Sequence, residues 1–403
     1  MKRRFLVLAF VISLISCKPF ASAASAQVVN PSLKWSERMA LSEMLRFPDP
    51  TLFDFHRNPH WSYTPGLVLH AICKVYEETD KQDYLDYVYR YPDKLIREDG
   101  SIKTYKMADY NLDMIKSGDV IYYLYNQNAE SKFLKVMDTL HKQMDGQPTT
   151  TLGGYWHKKK YTHQMWLDGV YMAEPFHAKY ARSVVEDPEL QAAIFDKVIR
   201  QYDLIEKHTK DKTTGLYYHG WDESKEQEWA DKKTGRSSNF WSRGMGWYGM
   251  ALVDVLDDLP KYHEGYGRIV EYLNGFAEAV VKVQDPETGT WYQVLNLPGR
   301  KGNYLEASGT AMFAYTLAKG VRMGYLPQKY LAHAEKAYEG MLTQFVSVEE
   351  NGVVNLNKCC AVAGLGGNPY RDGSFEYYIS ERIRSNDPKG TGPFIMASLE
   401  LDR

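Results

Sequence analysis

The chain has 403 residues, 49 of them basic and 51 acidic, for a formal charge of −2; it is 44% hydrophobic and 14% aromatic. That composition is globular, and the near-neutral balance leaves no broad basic surface, so nucleic acid is not an expected partner. The four cysteines, Cys17, Cys73, Cys359 and Cys360, show no metal-ligand spacing, which excludes a disulfide scaffold and a zinc module. No dinucleotide-binding glycine fingerprint and no phosphate loop is present, so no cofactor is expected.

The first 26 residues read as a targeting segment. Lys2, Arg3 and Arg4 form a basic start, and Phe5 to Ile15 is an apolar run too short to span a bilayer as a typical helix. Ala24-Ser25-Ala26 is an A-x-A cleavage site, and Leu14-Ile15-Ser16-Cys17 has the form of a lipoprotein signal that would lipidate Cys17. Simple cleavage before Gln27 is the preferred reading, with a lipid anchor as the other. Both predict an exported protein, periplasmic or associated with the outer membrane of a Gram-negative bacterium. No later stretch looks membrane-spanning, and residues 27–403 are expected to form one domain.

Along that domain, six largely apolar runs alternate with amphipathic ones. The apolar runs begin at Trp61, Leu112, Gln164, Trp241, Leu305 and Gly390, and contain Gly66, Gly118, Gly169, Gly246, Gly309 and Gly392. A run apolar around most of its circumference is a buried helix. The amphipathic stretches are Leu41–Leu52 (weakly patterned), Asp80–Arg97, Ser131–Met144, Pro188–Ile205, His263–Val283 and Gln328–Phe345. In the last, Leu331, Ala334, Ala337, Tyr338 and Met341 recur at three- and four-residue steps. The alternation predicts an all-α fold, an (α/α)6 barrel of six inner and six outer helices. Asp211–His219 and Asp285–Gln293 each read as a turn feeding a short strand, giving β-hairpins at one barrel end.

If the inner helices run parallel, their starts share one face, and polar and aromatic residues gather there. Seven of the nine tryptophans, Trp61, Trp156, Trp166, Trp221, Trp229, Trp241 and Trp247, lie in these clusters. Each alone reads as core; as a group they point to a carbohydrate cleft, because indole faces suit the C–H faces of sugars. Asp113 and Asp168 each sit within a turn of an inner-helix start, where capping alone would also favour them. Asp168 follows Trp166 inside an apolar run, where burial is expected to raise its pKa, as a general acid requires. Glu306 reads as a cap or supporting group. Arg243, between Trp241 and Trp247, can clamp a carboxylate or form a rim salt bridge. His157 and His163 lack the spacing of a helical ligand pair, and no metal site is expected.

These pieces carry a resemblance. Gly153–Lys158, Gln164–Gly169, Tyr217–Asp222, Trp241–Trp247, Leu305–Phe313 and Tyr370–Tyr378 together resemble glycoside hydrolase family 105, the unsaturated rhamnogalacturonyl hydrolases, with the family 88 unsaturated glucuronyl hydrolases as cousins. The resemblance implies an (α/α)6 barrel and an exported enzyme that removes a C4=C5 unsaturated uronic acid from lyase-generated oligosaccharides by hydrating the vinyl ether, with pectic rhamnogalacturonan as the parent glycan. It implies that Asp168 is the catalytic acid and base, that Asp113 is the second active-site carboxylate, raising the pKa of Asp168 further, and that Tyr63, His157, Trp166, His219, Arg243 and Trp247 line the sugar subsite. Tyr63 lies in the most loosely matching segment, and the leaving-group loop Glu223–Ser238 has no confident match. Two rivals remain: a conventional glycosidase or polysaccharide lyase on the same barrel, using Asp113 and Asp168 as a pair, and a glycan-binding protein without catalysis.

Overall fold

A computed structural model describes residues 28–402. The expected signal segment, with its cleavage site and Cys17, lies outside the described residues. The helices are α1 (Trp35–Arg46), α2 (Tyr63–Thr79), α3 (Gln82–Leu95), α4 (Gly118–Asn128), α5 (Ser131–Gly146), α6 (Leu167–Val184), α7 (Pro188–Thr209), α8 (Ser242–Val255), α9 (Glu264–Lys282), α10 (Ala307–Arg322), α11 (Leu331–Gln344), α12 (Phe375–Ser380) and α13 (Pro388–Leu401). Helices α2, α4, α6, α8, α10 and α13 pack side by side into a closed inner ring, and α3, α5, α7, α9, α11 and α1 flank them outside. This is the (α/α)6 barrel.

The two rings differ as their sequences require. Every residue of α8 is buried. By contrast α3 buries Tyr84, Leu85, Tyr87, Val88, Tyr91 and Leu95 and turns its charges to solvent. The inner helices approach closely at small residues. A Cβ on Gly66 would stand 2.6 Å from Ser117 Oγ, and one on Gly392 would stand 3.0 Å from Leu67 Cγ. Most of the recurring glycines of the inner runs thus mark contact between neighbouring inner helices; Gly169 instead meets His157 and Leu112.

The first outer helix lies earlier than its weak pattern implied. It ends at Arg46, before Pro48, and Pro50–Phe55 forms a 3-10 turn instead of more α-helix; proline lacks the N–H that would continue the ladder. This helix packs on α13, and the backbone N–H of Trp35 donates to Asp402 Oδ2 at 2.7 Å, so the first and last described helices meet. Glu306 is the side-chain cap of α10. It accepts from the Gly309 N–H at 2.7 Å, the Ser308 hydroxyl at 2.7 Å and the Cys360 N–H at 2.9 Å.

The predicted hairpins are corrected in part. Both turns form: Asp211 N–H bonds the Leu216 carbonyl, and Asp285 N–H bonds the Thr290 carbonyl. Gly215 and Gly289 take positive φ at their ends. The first turn closes a single antiparallel bridge of its own, Lys210 to Tyr217, and neither grows into a longer hairpin. The strand after the first is β2 (Gly220–Asp222), and it pairs antiparallel with β1 (Gln164–Trp166), far earlier in the chain. After the second turn only isolated bridges follow, Trp241 to Val294 and Tyr292 to Leu305. No helix among the described residues is long and apolar enough to cross a membrane.

Candidate active site

The ribbon of β1 and β2 assembles the site. It sets Trp166 opposite Gly220, and the Leu167 N–H donates to the His219 carbonyl at 3.0 Å. A second line of backbone bonds ties in two earlier segments. The His157 N–H donates to the Gln164 carbonyl at 2.9 Å, and the Leu112 N–H to the His157 carbonyl at 3.1 Å. Three segments far apart in sequence therefore converge on the first turn of α6, which carries Asp168.

His219, fully buried, presents Nε2 to Asp168 Oδ2 at 3.1 Å, while the Asp168 side chain is 13% exposed toward the barrel mouth. Burial pushes the Asp168 carboxyl up, but the charge and hydrogen bond of His219, with help from His157, outweigh it and hold the group below its ordinary value. The expectation of a raised pKa is reversed in the free protein, because an apolar environment acts only until a partner supplies the missing solvation.

Asp113 is held differently. It sits in the middle of a short 3-10 turn, Leu112–Met114, and its N–H donates to the Asn111 side chain. Its Oδ2 meets the Lys158 ammonium at 2.5 Å and its Oδ1 faces His157 Nε2 at 3.4 Å. Burial pushes His157 down to about 4, so near neutral pH that imidazole is uncharged and Lys158 is the countercharge of Asp113. The expected upward push of Asp113 on Asp168 is therefore corrected: Lys158 pairs with that charge.

Aromatic rings build the walls. His157 stacks on Trp166 with centroids 4.6 Å apart, and Tyr161 stacks on Trp166 at 4.7 Å. Trp229, from the loop after β2, packs with Trp166 and Leu365. Beyond them opens a cavity of about 910 Å³ lined by Tyr161, Gln164, Gln227, Tyr370 and Arg371 among others. Trp61 is not part of this wall; its indole N–H donates to the Met114 carbonyl at 2.8 Å and its ring stacks on Tyr91 within the core. His163 lies outside it as well, its ring tilted against Trp156 with centroids 4.9 Å apart.

Trp247, Tyr63 and Arg243 form a deeper group. Trp247 stacks on Tyr171 at 5.1 Å and meets the edge of Tyr63 at 6.3 Å. Burial drives the Tyr63 phenol well above its usual value; Asp54 and Asp113 push the same way and Arg243 opposes them. Arg243 is 1% exposed. One of its terminal nitrogens donates to the Cys360 carbonyl, and Nη1 lies 3.9 Å from Asp387 Oδ1. Among the described residues its Nε and Nη1 have no hydrogen-bond partner, which leaves a charged fork with donors to spare.

The model of Glycosyl Hydrolase Family 88 matches residues 35–403. The chain belongs to that family. A solved glycoside hydrolase of family 105 from C. acetobutylicum superposes with a TM-score of 0.86 at 45% identity, covering 91% of this chain and 99% of that one. Protein Atu3128 of Agrobacterium fabrum is 37% identical over 235 residues, 57% of this chain and 97% of its own length. The unsaturated rhamnogalacturonyl hydrolase YesR of Bacillus subtilis is 24% identical over 305 residues, covering 73% of this chain and 78% of the relative. The family 88 chain is thus a glycoside hydrolase, and its substrate is an oligosaccharide.

Of the residues singled out from sequence, the fold brings Asp168, His219, His157, Trp166 and Asp113 together and sets Tyr63, Trp247 and Arg243 beneath them. Sequence reasoning missed four others: Lys158, Tyr161, Arg371 and Tyr378. Lys158 sits in a run of three lysines, which reads as a solvated face. Tyr378 lies 159 residues after His219, yet its hydroxyl is 2.8 Å from that ring.

Proposed function

We propose that the protein removes a C4=C5 unsaturated uronic acid from the non-reducing end of lyase-generated oligosaccharides, of the pectic rhamnogalacturonan type, by hydrating the vinyl ether. The observation that carries this reading is the inequality of the two carboxylates. Asp113 is engaged by Lys158 and faced by His157, whereas Asp168 is free to move a proton in concert with His219. A conventional glycosidase needs two carboxylates, one on each side of C1. Hydration needs one proton-transfer group that acts twice.

The Asp168–His219 pair delivers a proton to C4, and the electron pair of C4=C5 forms the new C4–H bond. The Asp168 carboxylate then takes a proton from the water that bonds to C5. The product is a hemiketal; its ring C5–O bond opens, and the hemiacetal left at C1 releases the leaving sugar. Arg243, a buried guanidinium with donors unpaired among the described residues, suits the carboxylate of the uronic acid. The stacked rings of His157, Trp166 and Tyr161 offer an apolar wall to the sugar. The names of YesR and of two unsaturated 3S-rhamnoglycuronyl hydrolases among the relatives support a leaving group of the rhamnose type. The basic and apolar start of the chain supports export.

Reaction in ¹⁸O-labelled water tests the chemistry. Hydration puts the label on C5 of the released keto product and leaves the glycosidic oxygen on the leaving sugar. Label at C1 of the released uronic acid, with none at C5, would contradict the proposal and indicate direct attack on the anomeric carbon.

A further inference from the structure

His219 uses both ring nitrogens, and only one of them points toward substrate. Nε2 reaches Asp168 at 3.1 Å; Nδ1 reaches the Tyr378 hydroxyl at 2.8 Å. Tyr378 and His219 are both fully buried. The tyrosine is held from several sides. The Tyr377 N–H donates to the Ser374 hydroxyl at 3.0 Å, which caps α12. The Tyr378 carbonyl accepts from Gln293 Nε2 at 3.1 Å, and Gln293 Oε1 accepts from the Trp241 indole at 3.2 Å. Trp241 lies 18° from parallel to the Tyr378 ring and 4.7 Å from His219.

A phenol hydroxyl can donate or accept. With Asp168 a carboxylate and His219 neutral, Nε2–H donates to Asp168 and the Tyr378 O–H donates to Nδ1. One further proton reverses the second bond: Nδ1–H then donates to the phenol oxygen. That holds whether the added proton sits on the imidazole or on the Asp168 carboxyl. Burial drives the Tyr378 phenol well above its ordinary value, so the tyrosine keeps its own proton throughout.

We propose that Tyr378 is a positioning residue for catalysis, its hydroxyl switching between donor and acceptor toward His219 so that the Asp168–His219 pair retains the catalytic proton until the unsaturated sugar binds. This inference rests on the reading of Asp168 as acid and base. The proton count balances over a turnover: one proton passes from the pair to C4, and one returns to Asp168 from the water that adds to C5. The charged and titratable groups around the pair are His157 and Lys158 before β1, Asp113 before α4, Arg243 on α8, Cys360, and Arg371 and Tyr377 near α12. Among the described residues, none of these bonds either ring nitrogen of His219.

Tyr378→Phe removes one oxygen and keeps the ring. On an unsaturated rhamnogalacturonan disaccharide, its kcat is expected to fall about tenfold with KM within about twofold. The alkaline limb of the kcat–pH profile should move about one unit to lower pH, because the protonated pair loses the acceptor for a charge-assisted bond. A structural role alone would lower the melting temperature or active fraction and leave the profile in place; that result, or wild-type kinetics, overturns the proposal. Fluorotyrosine at position 378 is the second probe. Its weaker acceptor oxygen should move the same limb in the same direction, and an unmoved limb overturns the proposal even if the Phe variant does not fold. If the wild type bleaches the substrate, Asp168→Asn does not, and both Tyr378 variants keep the wild-type profile, the tyrosine's role alone is rejected. If the wild type leaves the double bond intact, the hydration reading falls and this inference with it.

Discussion

His157 rests on the first turn of α6 at Gly169, where an added Cβ would stand 3.0 Å from its Nδ1 and 3.0 Å from Leu112 Cδ1. That contact seats the ring that stacks on Trp166 and faces Asp113. Gly169→Ala should push both neighbours outward. A cost of about 1–3 kcal/mol is typical of overpacking, and kcat/KM is expected to fall by more than tenfold, because small displacements in a catalytic site are expensive. Kinetics and thermal unfolding on the same preparation check this; full activity would show that the site tolerates the shift.

Lys158 gives Asp113 its countercharge, so the two residues should act as a unit. Lys158→Met and Asp113→Asn are each expected to lower kcat/KM. The double variant should be better than the product of the single effects predicts, with a coupling of about 1–3 kcal/mol. A double-mutant cycle measures this directly, and strict additivity would dismiss the pair.

Arg243 offers a fork where lysine offers a point charge. Arg243→Lys keeps the charge and loses the paired donors, so KM is expected to rise about tenfold with a smaller change in kcat. Arg243→Ala removes the cation from a buried cluster that includes Asp387, and about 3–5 kcal/mol of stability should go with it. Steady-state kinetics and denaturant titration separate the two effects. An unchanged KM in the Lys variant would remove Arg243 from substrate binding.

A buried charge network between the inner helices sets an acid limit on stability. Lys319 on α10 reaches Asp254 on α8 at 2.7 Å, and Lys116 and Lys179 reach Asp119 at 2.7 and 2.9 Å. Burial pushes Asp254 up, but Lys319 and Lys116 pull it down to about 2. Its folded-state value thus lies below the unfolded value of about 3.9. The stabilisation is complete above about pH 4 and is lost as pH falls toward 2; it is on the order of 2 kcal/mol. Asp254→Asn should be less stable than wild type at pH 7, and the gap should narrow on acidification over that window. Urea unfolding at a series of pH values tests this, and a gap independent of pH would contradict it.

The barrel is legible in the sequence because burial on all sides and burial on one side leave different patterns, and α8 and α3 display them. Asp168 stands out for the same reason, as an acid inside an apolar run. Its protonation behaviour does not, because the residue that sets it, His219, lies 51 positions later and meets it only through the β1–β2 ribbon. The same holds for Tyr378, which no local pattern connects to His219. Tryptophans mislead in the opposite direction. Trp61 and Trp166 look alike beside inner-helix starts, but the indole N–H of one is spent on a core carbonyl while the other walls the site. Composition identifies aromatic clusters; only packing separates a sugar platform from a core.

The central claim is that Asp168 moves the proton in a hydration of the C4=C5 bond. The most direct measurement follows the ultraviolet absorbance of that bond in unsaturated rhamnogalacturonan oligosaccharides, with wild type and Asp168→Asn side by side. Steady loss of the band is expected with wild type, and a loss slower by at least about 10²-fold with the Asn variant, in line with the contribution of a positioned acid–base group. A band that persists with wild type while sugar is released from saturated oligosaccharides, or an Asn variant as fast as wild type, would contradict it.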